Sequence, residues 1–185
     1  MKYYLLFSKF EKGEGSFSVQ EPWNLVLEYH KPQVKLLKTK GIYLVDKCYK
    51  EKGMSDCLKV GVGKLASQKI QKIFFEHGFT GIQFIPVRVE NDGLHEDYAF
   101  MNPIAHYDLL DAEASEAREL SEVYGGYTSV IEEVLDQDKF DNAIILHDCF
   151  TLSTYKDPYY VSERVKAALE AEGVTGIEFI PMEFA

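Results

Sequence analysis

Residues 67–89 read Ser-Gln-Lys-Ile-Gln-Lys-Ile-Phe-Phe-Glu-His-Gly-Phe-Thr-Gly-Ile-Gln-Phe-Ile-Pro-Val-Arg-Val. Residues 162–184 read Ser-Glu-Arg-Val-Lys-Ala-Ala-Leu-Glu-Ala-Glu-Gly-Val-Thr-Gly-Ile-Glu-Phe-Ile-Pro-Met-Glu-Phe. At a constant offset of 95, Ser67, Gly78, Thr80, Gly81, Ile82, Phe84, Ile85 and Pro86 recur as Ser162, Gly173, Thr175, Gly176, Ile177, Phe179, Ile180 and Pro181. Self-similarity at a fixed offset points to one supersecondary unit used twice.

Each recurring residue has a structural job. Ser67 and Ser162 are expected to cap helices, because a serine hydroxyl accepts from the free amides of the first turn. Ile70, Ile73, Phe74 and His77, answered by Val165, Ala168, Leu169 and Glu172, keep helical spacing. Gly78 and Gly173 fall where a left-handed residue ends a helix. Beyond Thr-Gly, Ile82 and Phe84, like Ile177 and Phe179, alternate with Gln83 or Glu178 as in a strand with one buried face. Pro86 and Pro181 cannot donate to a ladder, so these strands end there or lie at an edge. The pattern predicts an α+β fold of two structurally similar halves. Each half packs a helix–turn–strand unit on a small mixed or antiparallel sheet. Residues 1–100 hold the first copy (67–89) and 101–185 the second (162–184), in one compact unit.

Elsewhere the patterning predicts strands over Lys2–Phe7, Gly41–Asp46, Tyr127–Leu135 and Ala143–Phe150. It predicts a helix over Asp111–Glu122, with Leu110, Ala114, Ala117 and Ser121 inward and an acidic rim. Residues 8–40 read as loop, with a turn over 12–16 and breaks at Pro22-Trp23 and Lys31-Pro32. Trp23, the single tryptophan, either pins that loop to the core or anchors an interface.

With 185 residues, 46% of them hydrophobic, the chain is long enough to bury a core without metal or disulfide. Its apolar runs are too short for a bilayer span, and the N-terminus reads as a strand rather than a signal peptide. Three cysteines without a C-x-x-C pair suit a reducing compartment, so a cytoplasmic location is expected. The net charge of −10 is unevenly spread. Residues 1–89 carry 15 Lys/Arg against 8 Asp/Glu, whereas residues 90–141 carry 2 against 15, a local charge of −13. That acidic third either solvates exposed helix faces or forms a surface that repels phosphate and attracts a basic partner, and it argues against nucleic-acid binding.

Chemistry-bearing motifs are weak. Gly61-Val62-Gly63-Lys64 lacks the spacing and the trailing Ser/Thr of a phosphate loop and reads as a glycine turn entering a helix. Cys48, Cys57, His147 and Cys149 lack the close pairing of structural zinc ligands and read as buried thiols with a neighbouring histidine. No nucleophile elbow or cysteine-protease context marks a catalytic residue. Residues 90–97 lack the spacing of a calcium loop. No metal or cofactor is therefore expected.

The repeated unit, together with Met1–Tyr4, Trp23 and the Leu110–Ser115 segment (Leu-Asp-Ala-Glu-Ala-Ser), resembles a family of bacterial immunity proteins. That family belongs to polymorphic-toxin systems and is typified by a myxobacterial immunity domain, first catalogued as a domain of unknown function. The resemblance spans nearly the whole chain and rests on structural motifs, so it transfers no active-site residue. It implies that the chain neutralises a co-encoded secreted toxin by direct binding and is not an enzyme. Joined to the charge pattern, it makes Asp92, Glu96, Asp97, Asp111, Glu113, Glu116 and Glu119 the expected contacts for a toxin with a basic surface. Neither nucleic acid nor membrane is an expected partner. The residues alone leave two other classes open: a small hydrolase or transferase with a site between the halves, and a structural or regulatory homodimeric scaffold.

Overall fold

The computed structural model describes residues 2–10, 18–21, 34, 43–45, 54–60, 63–91, 93–122 and 125–185. The strands begin with β1 (Tyr3–Ser8), β2 (Ser18–Glu21), β3 (Tyr43–Val45), β4 (Cys57–Lys59), β5 (Lys64–Ser67) and β6 (Ile82–Pro86). They continue with β7 (Arg88–Glu90), β8 (Leu94–His95), β9 (Tyr98–Pro103), β10 (His106–Tyr107), β11 (Arg118–Ser121) and β12 (Gly126–Ser129). The last are β13 (Val134–Leu135), β14 (Cys149–Leu152), β15 (Tyr160–Ser162), β16 (Ile177–Pro181) and β17 (Glu183–Phe184). With helices α1 (Gln68–His77), α2 (Gln137–Asn142) and α3 (Glu163–Ala171), the architecture is α+β. No helix among the described residues is long and apolar enough to cross a membrane.

Two sheets carry the fold. One runs β4-β5-β9-β6 and the other β10-β14-β15-β1-β16. In the first, antiparallel β9 lies between β5 and β6, with Ser67 opposite Tyr98 and Phe84 opposite Met101. In the second, β1 lies between β15 and β16, with Tyr3 opposite Ser162 and Leu6 opposite Phe179. Adding 95 to Tyr3 and Leu6 gives Tyr98 and Met101, so β1 and β9 fill matching slots. Both β6 and β16 are edge strands that end on their prolines, as a residue without an amide proton dictates. The central apolar cluster draws Ile70, Ile73 and Phe74 from α1, Val165 and Leu169 from α3, and Tyr4, Leu6 and Met101 from the middle strands.

Helices α1 and α3 both give way to a left-handed glycine, Gly78 at φ 62° and Gly173 at φ 59°. The next glycines, Gly81 and Gly176, are required for a second reason. A side chain on Gly81 would collide with the Cys149 carbonyl oxygen, and one on Gly176 with that of Cys57.

Those close approaches belong to two aspartate clasps. Asp148 accepts through Oδ2 from the Thr80 amide (3.2 Å) and hydroxyl (3.4 Å), and through Oδ1 from the Ser162 hydroxyl (3.0 Å). Asp56 accepts through Oδ2 from the Thr175 amide (3.0 Å) and hydroxyl (3.1 Å), and through Oδ1 from the Ser67 hydroxyl (2.9 Å). The Ser162 hydroxyl also accepts from the Val165 amide at 3.4 Å, so it caps α3 as expected. Ser67 does not cap α1 with its side chain. Its hydroxyl donates to Asp56, as that of Ser162 does to Asp148.

Several expected elements take another form. Asp111–Glu122 is not a helix: one turn over 112–116 gives way to β11. The buried Ser115 hydroxyl donates to the Val134 carbonyl (3.0 Å) and accepts from the Val134 amide (3.1 Å), while Glu116 and Glu119 adopt positive φ of 45° and 57°. Left-handed residues cannot propagate a right-handed helix. The strand expected over 127–135 is split into β12 and β13 by a bend. The apolar run from Ala143 is irregular until β14 begins at Cys149, and Ile144 is 79% exposed. Gly63-Lys64 enters strand β5 rather than a helix. His77, expected inward, is exposed and stacks on Phe79 at 5.2 Å. The turn at 12–16, the breaks at 22–23 and 31–32, Trp23 and Cys48 lie outside the described residues.

Candidate functional site

The expected acidic contacts fall on two surface segments. Glu96 and Asp97 precede β9 and are exposed. The Glu96 carboxylate sits 2.7 Å from Arg88 Nε, and the Asp97 carbonyl accepts from Gln71 Nε2 at 3.2 Å. Asp92, in the turn before them, lies outside the described residues.

The second segment is the turn leading into the β11–β12 hairpin. Asp111 is half-buried and faces its own backbone, its Oδ1 accepting from the amides of Glu113 (3.1 Å) and Ala114 (2.9 Å). Its carboxylate therefore shapes the turn. Glu113 is exposed. Exposed Glu116 pairs with Arg118 at 3.0 Å, and exposed Glu119 accepts from the Thr128 hydroxyl at 3.0 Å. Among the described residues no hydrogen bond or ion pair joins Glu96 or Asp97 to the 111–119 group.

Apolar side chains stand beside these acids. Leu120 on β11 is 68% exposed and Ile131 is 62% exposed. The Ile131 amide donates to the Ser115 carbonyl at 3.2 Å, which places Ile131 next to Glu116. Exposed carboxylates and exposed aliphatic side chains thus share this part of the surface. The two cations of the acidic third do not neutralise it. Arg118 is engaged by Glu116, and Lys139 points back to the Leu110 carbonyl (3.1 Å) and Asp108 (3.8 Å).

Among the described residues, two thiols and His147 are tied into the structure. Cys57 and Cys149 are buried free thiols, and burial followed by the Asp148 charge pushes the Cys149 thiol well up. His147 accepts or donates through Nδ1 at 2.7 Å to the Tyr107 hydroxyl. Among the described residues, no group of three His, Cys, Asp or Glu side chains is placed to hold a metal ion.

The sequence reading did not foresee the surroundings of Lys64, Glu133 and the clasp aspartates. Lys64 is buried, donates to the Ser8 hydroxyl at 2.7 Å and lies over the Tyr159 ring; burial holds its ammonium below the ordinary lysine range. Glu133 is pushed up, first by burial and then by Asp157. Asp56 is held below the usual carboxylate range although burial alone would raise it. The amide and hydroxyl of Thr175, the Ser67 hydroxyl and Lys69 outweigh that burial. A signal for the clasps was present: Asp-Cys occurs at 56–57 and again at 148–149.

No curated protein matches the chain. The sequence profile of the immunity protein family (Imm11) matches residues 29–183, a span that takes in both helix–turn–strand units, both clasps and the acidic hairpin. The chain belongs to the Imm11 immunity protein family.

Proposed function

We propose that this chain neutralises a co-encoded bacterial toxin by binding it directly, in the cytoplasm and without catalysis. Membership of an immunity family supports the toxin as partner. The observation that carries the mode of action is the exposed acidic hairpin: Glu113, Glu116 and Glu119 beside Leu120 and Ile131. Asp92, Glu96, Asp97 and Asp111 complete the proposed contact set, Asp111 by fixing the turn that carries the glutamates. Such a surface fits a toxin with a basic face, and charge of one sign speeds encounter before apolar contact slows release.

The two halves, 1–100 and 101–185, act as one unit in this reading. Strand β1 is hydrogen-bonded between β15 and β16, and apolar side chains from both helices fill the seam. A filled seam favours a rigid binding scaffold over a cleft enzyme. Co-purification of this chain with the product of the adjacent gene, in a one-to-one complex, is the test. A chain that captures nothing from that product overturns the proposal.

A further inference from the structure

The two copies differ where helix meets strand. In the first, Phe74, Phe79 and Phe84 fill the space beside α1 and β6, and Phe74 stands edge-on to the other two rings at 5.5 and 5.3 Å. The matching residues of the second copy are Leu169, Val174 and Phe179, so two rings are replaced by smaller side chains. A groove of about 260 Å³ lies there, lined by Leu169, Val174, Ile177 and Phe179, with exposed Glu170 and Glu178 beside them. A cavity of roughly 150 Å³ holds a benzene ring, so this groove has room for one aromatic side chain.

The first copy carries the complementary feature. Phe75, which matches Glu170, is 88% exposed, the highest value among the exposed large apolar side chains described. The segments also differ in formal charge, although Lys69, Lys72 and Arg88 each have an acidic neighbour within the chain. Residues 68–88 carry three Lys/Arg and one Glu, whereas residues 163–183 carry five Glu and two Lys/Arg. Lys72, one helical turn before Phe75, has a side chain 70% exposed and 3.7 Å from Glu76. On the groove side, Lys166 makes the equivalent pair with Glu170 at 3.9 Å but is only 25% exposed, so the exposed charges there are those of Glu178 and Glu172.

We propose that a second copy of this chain docks on this face, Phe75 of one copy entering the Leu169–Phe179 groove of the other while Lys72 approaches Glu178. The contact joins two different patches. Made twice it closes a dimer; made once per copy it extends an open chain. Each contact is small, so association is weak, in the micromolar-to-millimolar range. The inference is independent of any toxin.

Sedimentation velocity of the purified full chain across about 1–500 μM tests it over that range. The expected result is a mass that grows with concentration. Two variants, Phe75→Glu and Leu169→Phe with Val174→Phe, should each weaken association at least about tenfold, ten being the usual sensitivity to one lost anchor. Mixing them restores a single contact per mixed pair, because one variant retains the groove and the other the ring, so the mixture associates more than either variant alone. Should the groove-filling variant fail to fold, Glu178→Lys on the rim replaces it, with the same loss expected. A chain that stays monomeric throughout, or associates equally after Phe75→Glu, overturns the proposal, as does a mixture no more associated than its parts.

Discussion

Asp56 and Asp148 perform the same task although 92 residues, not 95, separate them. Each carboxylate ties the serine before a helix to the Thr-Gly turn that follows the other helix. Each also draws the second residue of the local helix, Lys69 at 3.6 Å and Arg164 at 3.8 Å. The clasps therefore bind each unit to the opposite one, and removing either carboxylate loosens the pair.

Asp56→Asn and Asp148→Asn should both destabilise, by about 1–3 kcal/mol, because each leaves partners of a charge-assisted network unsatisfied. Asp148→Asn should cost more, since that side chain is 9% exposed against 19% for Asp56. Chemical denaturation at neutral pH measures both. The low folded-state pKa of Asp56 adds a pH signature. Its contribution is complete above the ordinary aspartate value of 3.8 and vanishes as pH falls through the lower folded-state value. Asp56→Asn should therefore lose less stability than the wild type over that acid window.

The glycines separate conformation from contact. Gly78→Ala meets nothing within 4 Å, so its cost is the left-handed backbone alone, about 1 kcal/mol. Gly81→Ala sets a methyl against the Cys149 carbonyl and must push the Asp148 clasp apart, for a loss above about 3 kcal/mol. Thermal unfolding of the two variants should show that order, and equal losses would contradict it.

Lys64 gives a signature at the alkaline end. Burial lowers its pKa, so the unfolded chain holds that proton to higher pH than the folded one. Stability should rise as pH climbs from the folded value towards the ordinary 10.5, as the buried charge is relieved. Cys57, Asp157 and Glu133, which favour the ammonium, and Lys59, which opposes it, set the size of the rise. Lys64→Met should remove the slope. Denaturation midpoints between neutral and alkaline pH read this directly.

The helix–turn–strand units were legible because their determinants are local. Gly78 and Gly173 answer to backbone conformation, and Ile70, Phe74, Val165 and Leu169 to helical period. What remained hidden depends on distant partners. Ser67 and Ser162 are good cap residues on any local reading, yet the proton of each hydroxyl goes to a carboxylate, Asp56 or Asp148, that local patterning does not point to. The three-residue difference in spacing concealed those aspartates from a gapless comparison. The 111–122 segment carries helix-forming Ala and Glu, but Ser115 is drawn inward to Val134, and tertiary pairing overrides propensity there. Of the expected acidic contacts, surface position was readable for the glutamates from charge alone. The inward turn of Asp111 was not.

The acidic hairpin is tested most directly by titrating the wild type and the triple variant Glu113→Lys, Glu116→Lys, Glu119→Lys with the inactivated toxin encoded beside the chain. Calorimetry at about 0.05 M and 0.5 M salt spans strong and weak screening. A one-to-one complex, weakened at least about tenfold by the triple variant and also by high salt, is the expected result. Wild-type binding that neither the three reversals nor the salt alters would contradict an acidic docking face.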